Sequence, residues 1–250
     1  MSLHQFRFPG ESAEYRAARD DLLEAEMGLR RELERVAERR RALPAGGLAP
    51  DDYEFQEWDA DSGSARRIRM SELFADGKDT LMLYSFMIVK PEQGLHFVGP
   101  CPSCTSIIDS IDGALPHITQ RINFAVVAKP PIKRFHEHGE SRGWRHARLL
   151  SSAENNYNRD YGAEDADGNQ WPLATVFTKR GGRIRHTWSS ELFFAGSDPG
   201  EGPRHVDFMW PIWSVLDRTP DGRGSDWEPK LAYQGSSGAA EDVASSDRRV

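Results

Sequence analysis

The sequence predicts an α/β fold in which a mixed sheet lies between layers of helices, with a long N-terminal helix and a helical C-terminal extension. Residues 80–89 and 122–128 are apolar along nearly their whole length, as expected of central strands covered on both faces. A helical pattern follows each of them, and strands that alternate with helices pair in parallel. Paired glycines at 181–182 then separate two strand-like segments, which predicts an antiparallel hairpin in the same sheet.

Composition limits the class of protein. The 250 residues suffice for one domain with extensions and a sizeable core. With 32 basic and 39 acidic residues the formal net charge is −7, which argues against binding to nucleic acid. The longest apolar stretch, residues 81–89, is far too short to span a bilayer, and residues 1–10 lack the apolar core of a signal peptide. We therefore expect a cytoplasmic protein that interacts with neither membranes nor nucleic acids.

The first element is a long amphipathic helix within residues 12–43. Arg and Glu occupy its polar faces, and its apolar residues recur at helical spacing: Tyr15, Ala18, Leu22, Ala25, Leu29, Leu33, Val36 and Leu43. Pro44 ends the pattern, because proline cannot continue a helix. We expect this helix to dock on the domain or on a second subunit, and a homodimer is one arrangement that the sequence allows.

The sheet begins with residues 51–69, in which polar and apolar residues alternate around a turn. This alternation predicts a peripheral β-hairpin. Residues 70–74 predict a short helical turn capped by Ser71, and the central strand follows at 80–89. We expect the next helix to begin at Pro102, a position in the first helical turn where proline is tolerated.

After the second central strand, a helix begun by proline ends near Gly143. The hairpin strands at 172–177 and 183–188 follow, and then a last helix over 206–216 that Pro211 interrupts or restarts. This order predicts four parts: an N-terminal helical extension at 1–50, a central domain at 51–190, a C-terminal extension at 191–233 and a disordered tail at 234–250.

The chain's only two cysteines, Cys101 and Cys104, begin the helix after the central strand. Three positions apart on a first helical turn, they lie close enough for a disulfide, which would close too small a loop to stabilise the fold much. Redox chemistry therefore explains the pair better than a structural bridge does. A helix N-terminus favours an anion and lowers a thiol pKa. We assign Cys101 as the exposed attacking thiolate and Cys104, on the apolar face, as the more buried resolving thiol.

Two other interpretations of the pair stay open, namely a zinc site and two ordinary thiols. Zinc needs about four ligands, and no second cysteine pair exists, so histidines would have to complete the site: His96, His136, His138 or His186. No glycine-rich nucleotide fingerprint follows a strand, so we expect no bound cofactor. Reducing equivalents would then come from another thiol system.

The order of these elements resembles the thioredoxin superfamily: a central strand, a C-x-x-C motif at a helix start, a crossover, and a proline that opens an antiparallel hairpin. In that superfamily a cis-proline faces the cysteines and presents backbone to the partner. The resemblance implies that Pro172 is this residue and that Trp171, Pro102 and Ser103 help to bind substrate. A trans-proline at a strand edge is the alternative for Pro172.

A closer similarity covers nearly the whole chain. The segments that carry it are RRALP, LMLYSFM, GPCPSC, DGALPH, GWR, NNYNRDYG and LDRTPDGRG. Together they are similar to a bacterial thioredoxin-like family catalogued as a domain of unknown function, DUF899. Membership implies a thioredoxin-like three-layer α/β/α sandwich with a thiol site, and the family has no settled reaction.

The sequence also departs from the better-known members of the superfamily. Thioredoxins carry a tryptophan where Pro100 stands, and they lack the insertion at 90–99. They keep a buried acid in the central strand that aids deprotonation of the resolving thiol, and residues 80–89 contain none. Peroxiredoxins place Thr or Ser where Val98 stands.

We predict a thiol-disulfide oxidoreductase that uses the C-P-S-C pair on a protein or small-molecule thiol or disulfide. The alternative is a catalytically inactive thioredoxin-fold protein that binds a partner or senses redox state. In that alternative Cys101 is buried or has a high pKa, and it undergoes no exchange.

Overall fold

The structure is a computed structural model, and it describes residues 6–196, 199, 205–220, 222 and 227–233. Its contacts divide the chain into two compact units, Met1–Gly46 and Gly47–Val250. The predicted finer division into four parts remains a prediction, and the predicted disordered tail at 234–250 lies outside the described residues.

The first unit is built on one long helix, α1, Ala13–Arg41. The hydroxyl of Ser12 caps it by accepting a hydrogen bond from the backbone N–H of Tyr15 at 3.1 Å. The helix ends at Ala42, shortly before Pro44. The predicted N-terminal helix is therefore confirmed within a residue or two at each end.

The second unit contains a seven-stranded mixed sheet, in the order β2-β1-β7-β6-β3-β8-β9, and a separate two-stranded ribbon, β4-β5. The strands are β1 Glu54–Asp59, β2 Ser64–Arg69, β3 Thr80–Phe86, β4 Ile88–Val89, β5 Gly99–Pro100, β6 Asn123–Ala128, β7 Leu149–Ser151, β8 Leu173–Arg180 and β9 Arg183–Ser189. The central strand β3 is parallel to β6 and antiparallel to β8. The predicted peripheral hairpin, the parallel pair and the antiparallel hairpin are all confirmed.

The helices of this unit differ in length. They are α2 Pro102–Ile111, α3 Leu115–Ile118, α4 Ile132–Arg142, α5 Tyr157–Asp160 and α6 Pro211–Leu216, with 3₁₀ turns at Met70–Leu73, Pro91–Gln93, Asp112–Ala114, Glu191–Phe194 and Asp207–Met209. Helix α4 ends at Gly143, which adopts φ +73°, and α6 restarts at Pro211, both as predicted.

Alternate side chains of β3 enter two separate cores, one on each face of the sheet. Tyr84 and Phe86 pack with the apolar residues of α2 and α4 and with residues of the C-terminal extension. Leu81 and Leu83 pack against the turn Met70–Leu73 and the first residue of α5. The sheet is thus the middle of three layers, and the predicted thioredoxin-like α/β/α architecture is confirmed.

Two local predictions are wrong. Ser71 does not cap the 3₁₀ turn, which begins after Arg69; Ser71 lies inside it, and its N–H and hydroxyl donate to the carboxylate of Asp52 at 2.8 and 2.7 Å. The apolar run at 80–89 is two strands, because the chain leaves the sheet at Met87 and β4 pairs with β5 instead.

Strand β7 and helix α5 were not predicted, since three or four residues are too few to show a period. Among the described residues, no helix is both long enough and apolar enough to cross a bilayer.

The packing of α4 on β7 generates a prediction about Gly139. A Cβ there would lie 2.6 Å from Cδ1 of Leu149 and 3.3 Å from Cε3 of Trp144, so both side chains must move. We expect Gly139→Ala to lower the free energy of unfolding by about 0.5–1 kcal/mol, because the Leu149 methyl can turn aside but the Trp144 ring must shift, and this overpacking slightly outweighs the better helix propensity of alanine. Urea denaturation measures this change.

Gly113→Ala is the matched control, since nothing lies within 4 Å of a Cβ at that position. It should change the stability by less than about 0.5 kcal/mol. A Gly139→Ala variant as stable as the control would show that α4 and β7 do not pack as described.

Candidate functional site

The β4-β5 ribbon carries the chain from the central strand to the cysteine pair. Ile88 pairs with Pro100, and the backbone N–H of Cys101 donates to the carbonyl of Met87 at 3.0 Å. The insertion at 90–99 is the loop of this ribbon. It brings Cys101 back to the carboxyl end of β3, where α2 begins.

Cys101 caps α2, and Pro102 occupies the first turn, as predicted. The backbone N–H of Cys104 points at the sulfur of Cys101, at an N···Sγ distance of 3.5 Å. The side chain of Cys104 also hydrogen-bonds this sulfur, and that bond lowers the pKa of Cys101. Backbone N–H groups of Cys104 and Ser103 lower it further, whereas burial and the charge of Glu228 oppose the shift.

The pKa of Cys104 is shifted in the opposite direction. This residue lies in the core at 1% exposure, and burial raises its pKa well above that of a free thiol. The hydroxyl of Tyr84, on β3, donates to its sulfur at 3.3 Å and counteracts part of this shift. Both thiols are free. The two cysteines are thus set apart as a thiol that ionises easily and one that ionises with difficulty.

Tyr84 is a site residue that the sequence analysis missed. It is completely buried, and burial raises its own pKa well above that of a free tyrosine, so it stays protonated and keeps a proton to donate to Cys104. A hydroxyl within an otherwise apolar central strand was the signal available in the sequence, because a buried Tyr hydroxyl needs a partner.

The prediction that Cys101 is exposed is wrong, since its exposure is 6%. It belongs to the core cluster that includes three residues of the C-terminal extension, Val206, Met209 and Trp210. The indole N–H of Trp210 donates to the hydroxyl of Ser106 on α2 at 2.9 Å. The C-terminal extension therefore packs on the helix that carries the thiols and closes their surroundings to solvent.

The segment before Pro172 is tied to the cysteine ribbon by Gln170, another residue that the sequence analysis missed. Its buried amide donates to the carbonyl of Ile88 at 2.8 Å and accepts from the N–H of Ile88 at 3.1 Å. Gln93 in turn donates to the carbonyl of Gln170 at 2.8 Å. Gln170 thus satisfies the backbone N–H and carbonyl of Ile88, as a neighbouring strand would.

Pro172 directly precedes β8, as predicted. Its predicted cis bond is wrong, because no peptide bond between described residues is cis. The position at a strand start accepts a trans-proline without loss of a ladder hydrogen bond. The indole of Trp171 contacts Asp165 and Phe193, so the described contacts give it a structural role.

Of the residues predicted to bind substrate beside the cysteines, Pro102 and Ser103 are half-buried on the first turn of α2. Trp171 and Pro172 are also half-buried, next to Gln170. The roles of all four in binding stay predictions.

The histidines do not form a metal site in the described part of the chain, where no group of three or more His, Cys, Asp and Glu residues is arranged to hold an ion. His138, one of the histidines considered as a zinc ligand, has its Nε2 atom 3.2 Å from the hydroxyl of Thr105, the neighbour of Cys104. Burial lowers the pKa of His138 to about 4, so its ring is neutral at pH 7. The contact between His138 and Thr105 links α4 to α2, and the neutral ring places no charge near the cysteines.

A comparison with protein-family models identifies the family of the chain. A family model described as "Bacterial protein of unknown function (DUF899)" matches residues 6–240. No curated protein is similar enough to match the chain.

Solved structures with a related fold include Peroxidoxin BcpB of Mycobacterium tuberculosis, at 14% identity and a TM-score of 0.42 over 70% of this chain and 98% of that one. The reduced 2-Cys Peroxiredoxin of Plasmodium vivax is 18% identical, with a TM-score of 0.44 over 69% and 96% of the two chains. Peroxiredoxin Q of Xanthomonas campestris is 11% identical, with a TM-score of 0.44 over 69% and 99%.

The packing of the C-terminal extension generates a prediction about access to Cys101. Trp210→Ala removes the indole that joins the extension to Ser106, so the extension should open more often. We expect Cys101 to react with iodoacetamide about tenfold faster, as measured by mass spectrometry of the alkylated peptide over time.

Val215→Ala, on the same extension but 62% exposed, is the control and should leave the rate unchanged. Equal rates for Trp210→Ala and the native chain would mean that the extension does not limit access to Cys101.

Proposed function

We propose that this chain, which belongs to the bacterial family of proteins of unknown function DUF899, is a thiol-disulfide oxidoreductase. The observation that carries the proposal is the placement of two free thiols at the start of α2, where the backbone N–H of Cys104 lies 3.5 Å from the sulfur of Cys101; this arrangement lowers the pKa of Cys101, while burial raises that of Cys104. A nucleophile that ionises easily, next to a thiol that is kept protonated until needed, is what disulfide exchange requires.

The exchange proceeds in two steps. The thiolate of Cys101 attacks one sulfur of a partner disulfide, the partner's S–S bond breaks, and its other sulfur leaves and takes up a proton. Cys104 then loses its proton and attacks Sγ of Cys101, which releases the partner's remaining sulfur as a thiol. The partner disulfide gains two electrons, and the pair becomes an intramolecular disulfide. A low-molecular-weight or protein thiol returns the two electrons.

Tyr84 supports the second step. Its hydroxyl contacts the sulfur of Cys104 and stabilises the thiolate that forms there, since hydrogen bonds to charged groups are stronger than neutral ones. It cannot be the base, because it stays protonated. The central strand contains no buried acid of the kind that thioredoxins use, so solvent or the departing partner thiolate accepts the proton.

The partner would bind beside the pair, along Pro102, Ser103, Trp171 and Pro172. The link from Gln170 to the cysteine ribbon supports this placement, because it holds the segment before β8 next to the residues that lead into Cys101. The packed extension requires that this site open before a large partner enters. A reducing cytoplasm, where thiols stay free, is the compartment that suits the reaction.

The first prediction from this proposal concerns the redox potential. In glutathione buffers, Cys101 and Cys104 should form a reversible intramolecular disulfide with a midpoint of about −270 to −200 mV, the range of thioredoxins and glutaredoxins. Mass spectrometry measures the oxidised fraction at each potential, and Cys104→Ser should instead accumulate a mixed disulfide with glutathione on Cys101.

Absence of any intramolecular disulfide, together with a Cys101 that exchanges with no disulfide, would contradict the proposal. The chain would then be a thioredoxin-fold binding or sensing protein with two packed thiols.

The second prediction isolates Tyr84. The assay uses an aromatic disulfide whose thiol is coloured. Attack by Cys101 releases the first coloured thiol, and attack by Cys104 on the mixed disulfide releases the second. Tyr84→Phe should slow the second release about tenfold or more, because a hydrogen bond to a charged group contributes about 1.5–3 kcal/mol. The first release should keep its rate, and stopped-flow absorbance measures both.

The pH profiles give an independent readout. The first release should level off at a lower pH than the second, because the pKa of Cys101 is lowered and that of Cys104 is raised. Tyr84→Phe should move only the second profile further to high pH. Tyr157→Phe, which removes a buried hydroxyl from the opposite core, is the matched control. A slowed first release, or the same change in both variants, would assign Tyr84 a merely structural role.

A further inference from the structure

Helix α1 carries an apolar stripe that is open to solvent. Tyr15, Leu22 and Leu29 recur every seven residues, and their exposed fractions are 54%, 59% and 60%. Ala18 and Ala25 lie between them and are exposed as well. Leu33, at 63% exposure, extends the stripe toward the end of the helix. Single exposed leucines are ordinary, but a seven-residue repeat along one helix is the pattern of a helix that pairs with another.

A different side of the helix is less exposed. Arg16 is buried; it hydrogen-bonds the carbonyl of Phe6 and forms an ion pair with Glu11 at 3.4 Å. Leu23 and Met27 are half-buried on the same side. The open stripe is therefore a second apolar side of a helix that already has one, and the polar residues needed for a solvated face are missing from it.

The charges of α1 are segregated along its length. Residues 13–27 contain five acidic and two basic side chains, a net charge of −3. Residues 28–41 contain three acidic and six basic side chains, a net charge of +3. Two such helices in parallel place like charges side by side, whereas in antiparallel orientation each half faces its opposite.

We propose that α1 pairs with α1 of a second copy of this chain, in antiparallel orientation and centred near Met27. The helix has 29 residues, so it is about 44 Å long and offers about four heptads for pairing. Symmetry about Met27 places Leu29 opposite Ala25 of the partner subunit and Val36 opposite Ala18 of the partner subunit. In these two pairs a large side chain meets a small one, which lets the two backbones approach closely there.

The first test is the molar mass of the full chain in solution, measured under reducing conditions by sedimentation equilibrium. The native chain should have twice the monomer mass of 28.2 kDa, and the double variant Leu22→Gln/Leu29→Gln should fall to one monomer mass. Leu192→Gln/Val215→Gln replaces two residues of similar exposure outside α1 and should remain a dimer. Circular dichroism checks that both variants keep the native helix content.

A native chain of one monomer mass would overturn the proposal. A dimer that persists in Leu22→Gln/Leu29→Gln would overturn it too, because the contact would then lie elsewhere.

The second test is cross-linking, which reads the orientation. It uses the full chain with Cys101→Ser and Cys104→Ser, so that only an added thiol reacts. Ala18→Cys and Val36→Cys, mixed and oxidised, should give a cross-linked heterodimer, and neither should cross-link efficiently to itself. Efficient self-cross-linking of Ala18→Cys would mean that the helices run parallel and would overturn the antiparallel pair. These outcomes do not depend on exchange activity.

Discussion

The hydrogen bond from Tyr84 to the sulfur of Cys104 is the contact on which the site depends, because it joins the central strand to the helix that carries both thiols. It forms only if Tyr84 faces the same side of the sheet as α2, which the two-residue period of the strand decides. Burying Cys104 there keeps it protonated, and its side chain then hydrogen-bonds the sulfur of Cys101. The packing of Cys104 against this face of the sheet thus influences the pKa of both thiols.

Burial affects Cys101 in two ways. It raises the pKa of the thiol, but hydrogen bonds from the helix N-terminus and from Cys104 outweigh this effect, so the pKa is lowered overall. The same burial keeps a thiolate away from oxidants and from partners, because the C-terminal extension packs in the cluster around it. In the proposed exchange, therefore, access to Cys101 and not its nucleophilicity would decide when the reaction occurs.

Buried amide side chains satisfy polar groups that regular structure does not reach. Gln170 satisfies the backbone of Ile88 on the side where no strand pairs with it, and the side-chain oxygen of Asn158, in α5, accepts a hydrogen bond from the hydroxyl of Ser152 at 2.8 Å. Backbone groups buried without a partner would each cost about 1–3 kcal/mol. Gln170 therefore holds irregular chain beside the ribbon that leads into Cys101.

Local sequence patterns were enough to predict the long N-terminal helix, the β1-β2 hairpin, the parallel pair β3-β6, the β8-β9 hairpin and the two thiols at the start of α2. Periodicity, prolines and glycines act within a few residues, so they can be read locally. The tertiary structure alone decided that Cys101 is covered, that Tyr84 reaches Cys104 and that Gln170 completes the ribbon. Each of these joins segments that are far apart in the chain, and a local pattern holds no information about which distant side chain fills a given place in the core.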